Sequence, residues 1–300
     1  SVSSDNTVKK IDSTGALIWS FDGADGHTDD VNDVTISPSG YVYTASSDNT
    51  VKKIDPSGDQ VNDTNWPFSG HGDNVNVVIT DSEENIYTGS NDNTVKKIGS
   101  DGTTAWTFEG TDAHSDNIND LALSSDGYLY TASNDNTVRK LDITDGSEVK
   151  DNGSSFASYS GAVIGVDIDI SDNVYVATDG GTLEKYDNTG TSKWTVSSIG
   201  GTSILKIWFV TVDSSGNSYI GTGDTTLRKI NTSGNQDWEL STSTAYIYDV
   251  AVGSNGYVYY GAYDGTVGKV NASNGTQVTN TDNWPFTEHT SDVYGVALTE

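Results

Sequence analysis

The chain has no cysteine and no methionine, only four prolines, and 15 basic residues among 300. Without cysteine there can be no disulfide, no thiolate metal ligand and no thiol nucleophile. The lack of methionine, at position 1 as elsewhere, is expected of a processed chain or of a segment of a longer one. No apolar run approaches the roughly 18 residues that a membrane-spanning helix needs, and the first residues lack the basic and apolar regions of a signal peptide. Against the 15 basic residues stand 43 acidic ones, a formal net charge of −28. A surface this negative repels phosphate backbones and anionic headgroups, so neither nucleic acid nor membrane insertion is expected. Self-repulsion of this size is tolerated where salt screens it, since the Debye length falls to about 3 Å at 1 M salt. Poor in lysine and rich in Asp, Ser and Thr, the composition is that expected of a halophilic system, with an extracellular or virion-surface setting.

What the chain does have is a repeat. The phrase Asp5-Asn6-Thr7-Val8-Lys9-Lys10-Ile11-Asp12 returns near Asp48, Asp92, Asp135, Asp179, Asp224 and Asp264. Strand-like starts recur at Val31, Val75, Ile118, Val163, Ile207, Ile247 and Val293, spaced 40 to 46 residues apart. In each unit, short runs of alternating polarity are bounded by Gly, Asn, Asp and Ser, and no 3.6-residue period is sustained. Four strands per unit at this period predict the blades of an all-β propeller. Six full units and one assembled from both ends predict a single domain of seven four-stranded antiparallel blades. Blade 1 spans residues 293–300 with 1–30; blades 2 to 7 span 31–74, 75–117, 118–162, 163–206, 207–246 and 247–292. The join lacks the equivalent of Ser39-Gly40-Tyr41-Val42-Tyr43, so the second strand of blade 1 is expected to be short and its seam weak.

Two repeat families are resembled at once. The order His27, Val31, Ser37-Pro38-Ser39-Gly40, Asp48, Ile54-Asp55 resembles a WD40 repeat, in which a His before the first strand pairs with an Asp after the second. The Trp of the usual Trp-Asp ending is replaced by Ile11, Ile54, Ile98, Leu141, Tyr186, Ile230 and Val270. Meanwhile Gly15 and Trp19, Gly102 and Trp106, Gly190 and Trp194, and Gly234 and Trp238 share a Gly-x-x-x-Trp spacing that resembles the tryptophan-docking repeats of PQQ-type propellers. Hybrids of this kind resemble repeats in proteins of haloarchaea and their viruses. The resemblance spans the chain and implies a fold; it does not imply a function.

Several side chains recur by position. His27, His71, His114 and His289 each precede a first strand by four residues, where the other blades carry Tyr159, Ser203 and Ser243. A propeller keeps these histidines on separate blades, so each is expected to form a structural hydrogen bond, with Asp48, Asp92, Asp135 and Asp5 as acceptors. Lys10, Lys53, Lys97, Lys140, Lys185, Lys229 and Lys269 occupy one place in the third strands. Their stems are expected to pack on the blade tryptophan while the ammonium meets a carboxylate. Trp19, Trp66, Trp106, Trp194, Trp238 and Trp284 mark the fourth strands, with Phe156 in the fourth blade, and are expected to knit neighbouring blades. Asp33, Asp120 and Asp249 share a first-strand position and are placed to line the channel. Asp167, Asp169 and Ser171 match a calcium loop in spacing, but the segment lacks that turn's glycine and lies on an alternating strand, so no metal is assigned. Trp208 has no counterpart in other blades and is the residue expected to touch a ligand.

No pair of carboxylates stands apart as a general acid and base. The function expected is therefore non-enzymatic: an interaction or structural propeller with a protein or cell-surface glycan partner and no cofactor, such as a virion spike, turret or tail component or an adhesin. The alternatives are a PQQ-type quinoprotein enzyme, whose usual eight blades and cysteine pair are missing, and an intracellular WD40-like scaffold.

Overall fold

The computed structural model describes residues 1–150, 154–199, 202–204, 206–242, 245–279 and 283–299. It is an all-β ring of seven blades with three or four antiparallel strands each, and among the described residues there is no helix. Blades 3, 4, 5 and 6 each form a four-stranded sheet in sequence order. In blades 2 and 7 the outermost strand is reduced to isolated bridges, Ile54 to Gln60 and Val51 to Phe68 in one, Val270 to Gln277 and Val267 to Phe286 in the other. There Trp66 and Trp284 precede cis prolines, and they sit beside the sheet instead of within a fourth strand.

Blade 1 is built from both ends of the described chain. Val293–Gly295 pairs with Val2–Ser3, which pairs with Val8–Ile11 and then Leu17–Phe21. Its second strand has two residues, against five in the second strand of blade 2, Val42–Ser46.

The innermost strands pack on one another in a closed circle, from Val31–Ile36 round to Val293–Gly295. The second strands, such as Val42–Ser46 and Ile86–Ser90, are buried along their whole length, as befits strands covered on both faces by neighbouring blades. Between blades lie seven apolar clusters, one per interface.

The tryptophans join the blades by a specific dock. Each indole or its flanking residue lies against the glycine that turns the next blade from its third strand. Gly146 (φ +76°) and Gly275 (φ +70°) show why glycine is needed: the backbone is left-handed, and a Cβ would come within 2.7 Å of Trp106 and 2.6 Å of Trp238. The indole N–H then donates to a carbonyl of that same turn: Trp66 to Ser100, Trp106 to Ile143, Trp194 to Thr232, Trp238 to Ala272 and Trp284 to Ser13.

The lysine ring uses the same acceptors, which corrects the expectation of carboxylate partners. Lys53, Lys97, Lys229 and Lys269 donate to the carbonyls of Ser100, Ile143, Ala272 and Ser13, while Lys140 reaches Asn188. Each lies over the tyrosine of its own second strand, Nζ of Lys97 being 5.4 Å from the Tyr87 ring centroid. Backbone carbonyls win because the lysine stem runs along the blade interface, where the turn of the next blade is the nearest acceptor. Among the described residues only Lys185 of this set meets a carboxylate, Asp169 at 3.2 Å.

Candidate binding surface at the channel mouth

The four histidines stay on separate blades. His27 Nδ1 lies 2.8 Å from Asp48 Oδ2, with Nε2 2.8 Å from Thr44 Oγ1. His71 with Asp92 and Thr88, and His114 with Asp135 and Thr131, repeat this geometry. In blade 1, His289 is looser, 3.4 Å from Asp5 Oδ2, and its Nε2 meets the hydroxyl of Ser1. Where the histidine is missing the blade substitutes another contact. Tyr159 and Tyr186 join hydroxyls at 2.9 Å in blade 5, and Arg228 pairs with Asp224 in blade 6. Ser243 lies outside the described residues.

Burial lowers the pKa of His27, His114 and His289. Burial alone would raise Asp48, Asp92 and Asp135, but hydrogen bonds from the paired imidazole and a threonine hydroxyl hold them far below the usual carboxylate range.

Asp33, Asp120 and Asp249 do not hang free in the channel. Each carboxylate reaches across to the innermost strand of the next blade and accepts a backbone N–H: Val78 at 2.8 Å, Val166 at 2.9 Å and Val296 at 2.8 Å. Asp167, two residues further along its strand, does the same to Val212 at 2.7 Å. Burial pushes Asp33 up to about 7 and Asp167 and Asp249 to about 6, and raises Asp120 well above its ordinary value. The calcium-loop spacing is otherwise engaged too. Asp169 accepts the amides of Ser171 and Asn173, the Asn173 side chain, the Tyr175 hydroxyl and the Lys185 ammonium. Lysine thus stands where a cation would, and among the described residues no cluster of three His, Asp or Glu can hold a metal.

Two sets of groups therefore act on stability in opposite senses. For the channel carboxylates the folded pKa is raised, so their contribution is full below pH 3.8 and is lost as pH rises towards 6 to 7. For His27, His114 and His289, and for Asp5, Asp48, Asp92 and Asp135, it is lowered. Their contribution is full above pH 6.5, falls as pH drops through the depressed histidine values, and falls further below pH 3.8. Thermal midpoints measured across pH 4 to 8 are expected to pass through a maximum, and Asp33→Asn to flatten the alkaline limb while leaving the acid limb. A profile rising steadily to pH 8 would contradict the assignment.

At one mouth of the channel the repeat stops being uniform. Every innermost strand carries a β-bulge at its second residue, because pairing jumps from Val31 to Asp33 and likewise in each of the other blades. A bulge re-aims the extra side chain. In blades 2, 3 and 4 that residue is Asn32, Asn76 or Asn119, whose amide donates to the carbonyl of Val75, Ile118 or Val163 in the next blade, each at 2.8 Å. In blades 5, 6, 7 and 1 it is Ile164, Trp208, Tyr248 and Tyr294, which cannot make that bond.

Trp208, Tyr248 and Tyr294 are joined by Tyr246, which precedes the strand of blade 7, and Tyr263, which follows its second strand. Trp208 lies 5.5 Å from Tyr246 and 5.9 Å from Tyr248; Tyr248 lies 5.2 Å from Tyr294 and 6.4 Å from Tyr263. Tyr246 is 38% and Tyr263 52% exposed. Lys206 Nζ sits 3.7 Å from the Trp208 ring, whose own N–H is buried without a partner. The result is a crescent of aromatic rings along the rim of blades 6, 7 and 1.

Its far end is acidic. Burial and the charges of Asp29 and Asp292 raise Asp30, and Asp292 is itself raised by burial. Burial, followed by the charge of Asp292, takes Tyr248 to about 12 and also raises Tyr294. Neither Asp30 nor Asp292 forms an ion pair among the described residues. Trp208 was legible as a candidate; the tyrosines around it were not. The signal that finds them is the column of bulge residues, where Asn gives way to Ile, Trp and Tyr.

A quinone cofactor does not fit this mouth. Pyrroloquinoline quinone is a tricarboxylate, and the groups here are Asp30, Asp292 and the carboxylates of the channel wall, with Lys206 already over Trp208.

Fold and docking contacts define a seven-bladed propeller of tryptophan-docked, PQQ-like repeats. The chain belongs to the family described as outer membrane protein assembly factor BamB, which matches residues 4–168 and 91–295. No curated protein matches it in sequence. Among solved structures it is similar to the crystal structure of the computationally designed Ika8 protein, with a TM-score of 0.72 and 20% identity over 99% of this chain and 86% of that one. That likeness concerns the fold alone.

Proposed function

We propose that the chain is a non-enzymatic binding propeller whose partner, a protein segment carrying basic side chains, docks on the aromatic crescent. The observation that carries this is the replacement of the bridging asparagines by Ile164, Trp208, Tyr248 and Tyr294 on one side of the mouth only. Asn at the bulge ties two blades together; an aromatic ring there gives up that tie and leaves apolar surface facing solvent. Exposed aromatic surface of this kind marks binding sites, and Asp30 and Asp292 beside it favour a cationic ligand through charge and cation–π attraction. The family's description as an assembly factor agrees with a role in holding other chains. We place it in a high-salt exterior setting, on a cell or virion surface. There its thermal midpoint is expected to climb as salt rises from 0.1 M to molar concentrations, and a midpoint that falls would remove that part of the proposal.

The test is to restore the repeat. Trp208→Asn, Tyr248→Asn and Tyr294→Asn together should leave the melting temperature unchanged or higher, because the new amides can bridge to the next blade as Asn32 does. Each ring contributes about 0.5–1.5 kcal/mol to stacking, so affinity for an immobilised Arg- and Leu-containing peptide should fall at least about tenfold. Unchanged peptide binding by the folded triple variant would refute the site. Binding of neutral oligosaccharides in place of the peptide, lost in the same variant, would replace the protein segment with a glycan.

A further inference from the structure

The residue just before each innermost strand forms a second column on the rim of the crescent. Its carbonyl accepts the N–H of the residue after the second strand in all seven blades, as Ser47 donates to Asp30, Gly223 to Lys206, Tyr263 to Tyr246 and Ser4 to Asp292. With the backbone held alike, only the side chains differ. Blades 3, 4 and 5 carry the uncharged Asn74, Asn117 and Ala162. Blades 6, 7, 1 and 2 follow with Lys206, Tyr246, Asp292 and Asp30, so a cation stands at one end of the aromatic crescent and two anions at the other.

None of these three charges has a counter-ion among the described residues. Lys206 holds its ammonium 3.7 Å from the Trp208 ring centroid, and among the described residues it forms neither a hydrogen bond nor an ion pair. Lys53, Lys97, Lys140, Lys229 and Lys269 each donate to a backbone carbonyl instead. A ring face attracts the charge of an ammonium but leaves its N–H donors for another group. At the opposite end, the charges of Asp292 and Asp30 add to burial in raising Tyr294, which places both carboxylates beside that ring. The molecule as a whole carries a net charge of −28, so its field favours cations over most of the surface. Lys206 makes a local exception next to Trp208.

We propose that the partner segment on the crescent is dipolar: it brings an acidic side chain to Lys206, an apolar one to Tyr248 and a basic one to Asp292 and Asp30. This rests on the crescent being the binding surface and adds the order of the contacts along it. The spacing follows from the geometry. Trp208 lies 5.9 Å and Tyr294 5.2 Å from Tyr248, so the strip between its end rings is at most about 11 Å long, with the charges just beyond them. Side chains on one face of an extended chain recur at every second residue, with a rise of about 3.3 Å per residue. The acidic and basic residues therefore stand four positions apart, about 13 Å, with the apolar residue midway. Because the two ends carry opposite charge, the segment lies across the crescent in one sense only, its acidic end on blade 6 and its basic end on blades 1 and 2.

The probe is the peptide acetyl-Glu-Ser-Leu-Ser-Arg-amide, with Gln in place of Glu as its control, titrated by calorimetry at the lowest salt in which the protein is folded. The protein is expected to bind the Glu peptide about threefold to fivefold more tightly, the upper range for a partly exposed ion pair. Elsewhere on so acidic a surface the uncharged control would bind better, so the sign of the difference reports on Lys206 and not on the overall field. Lys206→Met, which keeps the stem without the charge, is expected to lose the preference, and Lys206→Glu to reverse it. Equal binding of the two peptides, or a preference that survives in Lys206→Met, would overturn the dipolar assignment; if that binding is still lost when Trp208, Tyr248 and Tyr294 are all replaced by Asn, the crescent stands without it. If neither peptide binds the parent protein, the crescent is not the site and the dipolar assignment falls with it.

Discussion

A chain cut after Asp292 is expected to lose its cooperative thermal transition. The seven residues from Val293 to Thr299 hold the innermost strand of blade 1, and that strand closes the inner circle between blades 7 and 2. Val293 is fully buried, and a Cβ on Gly261 would clash with its side chain at 2.7 Å. Val296 gives its N–H to Asp249 across the interface, and Val2 pairs with Gly295. Without them the buried side chains of Val2, Val31 and Val34 meet water, each burial being worth about 1.5–3 kcal/mol, and the Asp249 carboxylate loses a donor while still buried. Several such losses approach the whole stability of an ordinary domain, about 5–15 kcal/mol. Circular dichroism melting checks this: a broad, shallow unfolding curve is expected, and a sharp transition at the parent midpoint would show that the circle closes without this strand.

Trp66→Ala is expected to cost about 3–5 kcal/mol, the range for removing a buried aromatic side chain. Trp66 is 2% exposed and packs on Tyr43 and Lys53, and its indole donates to Ser100 of blade 3. Alanine removes the ring, leaves the Ser100 carbonyl with Lys53 alone and opens a cavity on the apolar cluster shared with Val75 and Val78. Trp19→Ala is the internal control. Its indole N–H has no acceptor and no tyrosine lies under it, so the same substitution should cost clearly less. Denaturant unfolding of the two variants gives the comparison. Equal losses would mean that the dock contributes through area alone, and that the carbonyl bond and the tyrosine add nothing.

Much of the ring could be read before any coordinates. The strand starts and the acidic turn specify seven blades because each recurs once per unit, and the Gly-x-x-x-Trp spacing, present in four units, has a local cause in the dock between blades. His27 and Asp48, His71 and Asp92, and His114 and Asp135 are each 21 residues apart, so the pattern itself points to the contact. The lysine ring was legible as packing, but its acceptors were not. Backbone carbonyls leave no mark on composition, and the choice of Ser100 or Ile143 depends on how one blade's turn meets the next. Asp33 looked like a channel residue because it sits on the innermost strand; that it clamps Val78 follows from the angle between adjacent strands. The crescent was the least legible. Tyr246, Tyr263 and Tyr294 lie in three segments and meet only because bulges at Trp208, Tyr248 and Tyr294 turn those rings to the same rim.

The central claim is that the repeats build the ring and that binding occurs where the bulge column departs from asparagine. Amide hydrogen exchange with and without the Arg- and Leu-containing peptide tests this most directly. The account predicts slower exchange at the bulges of Trp208, Tyr248 and Tyr294 and around Tyr263, with Asn32, Asn76 and Asn119 unchanged. Protection confined to the asparagine side of the mouth, or to the outer strands, would contradict it.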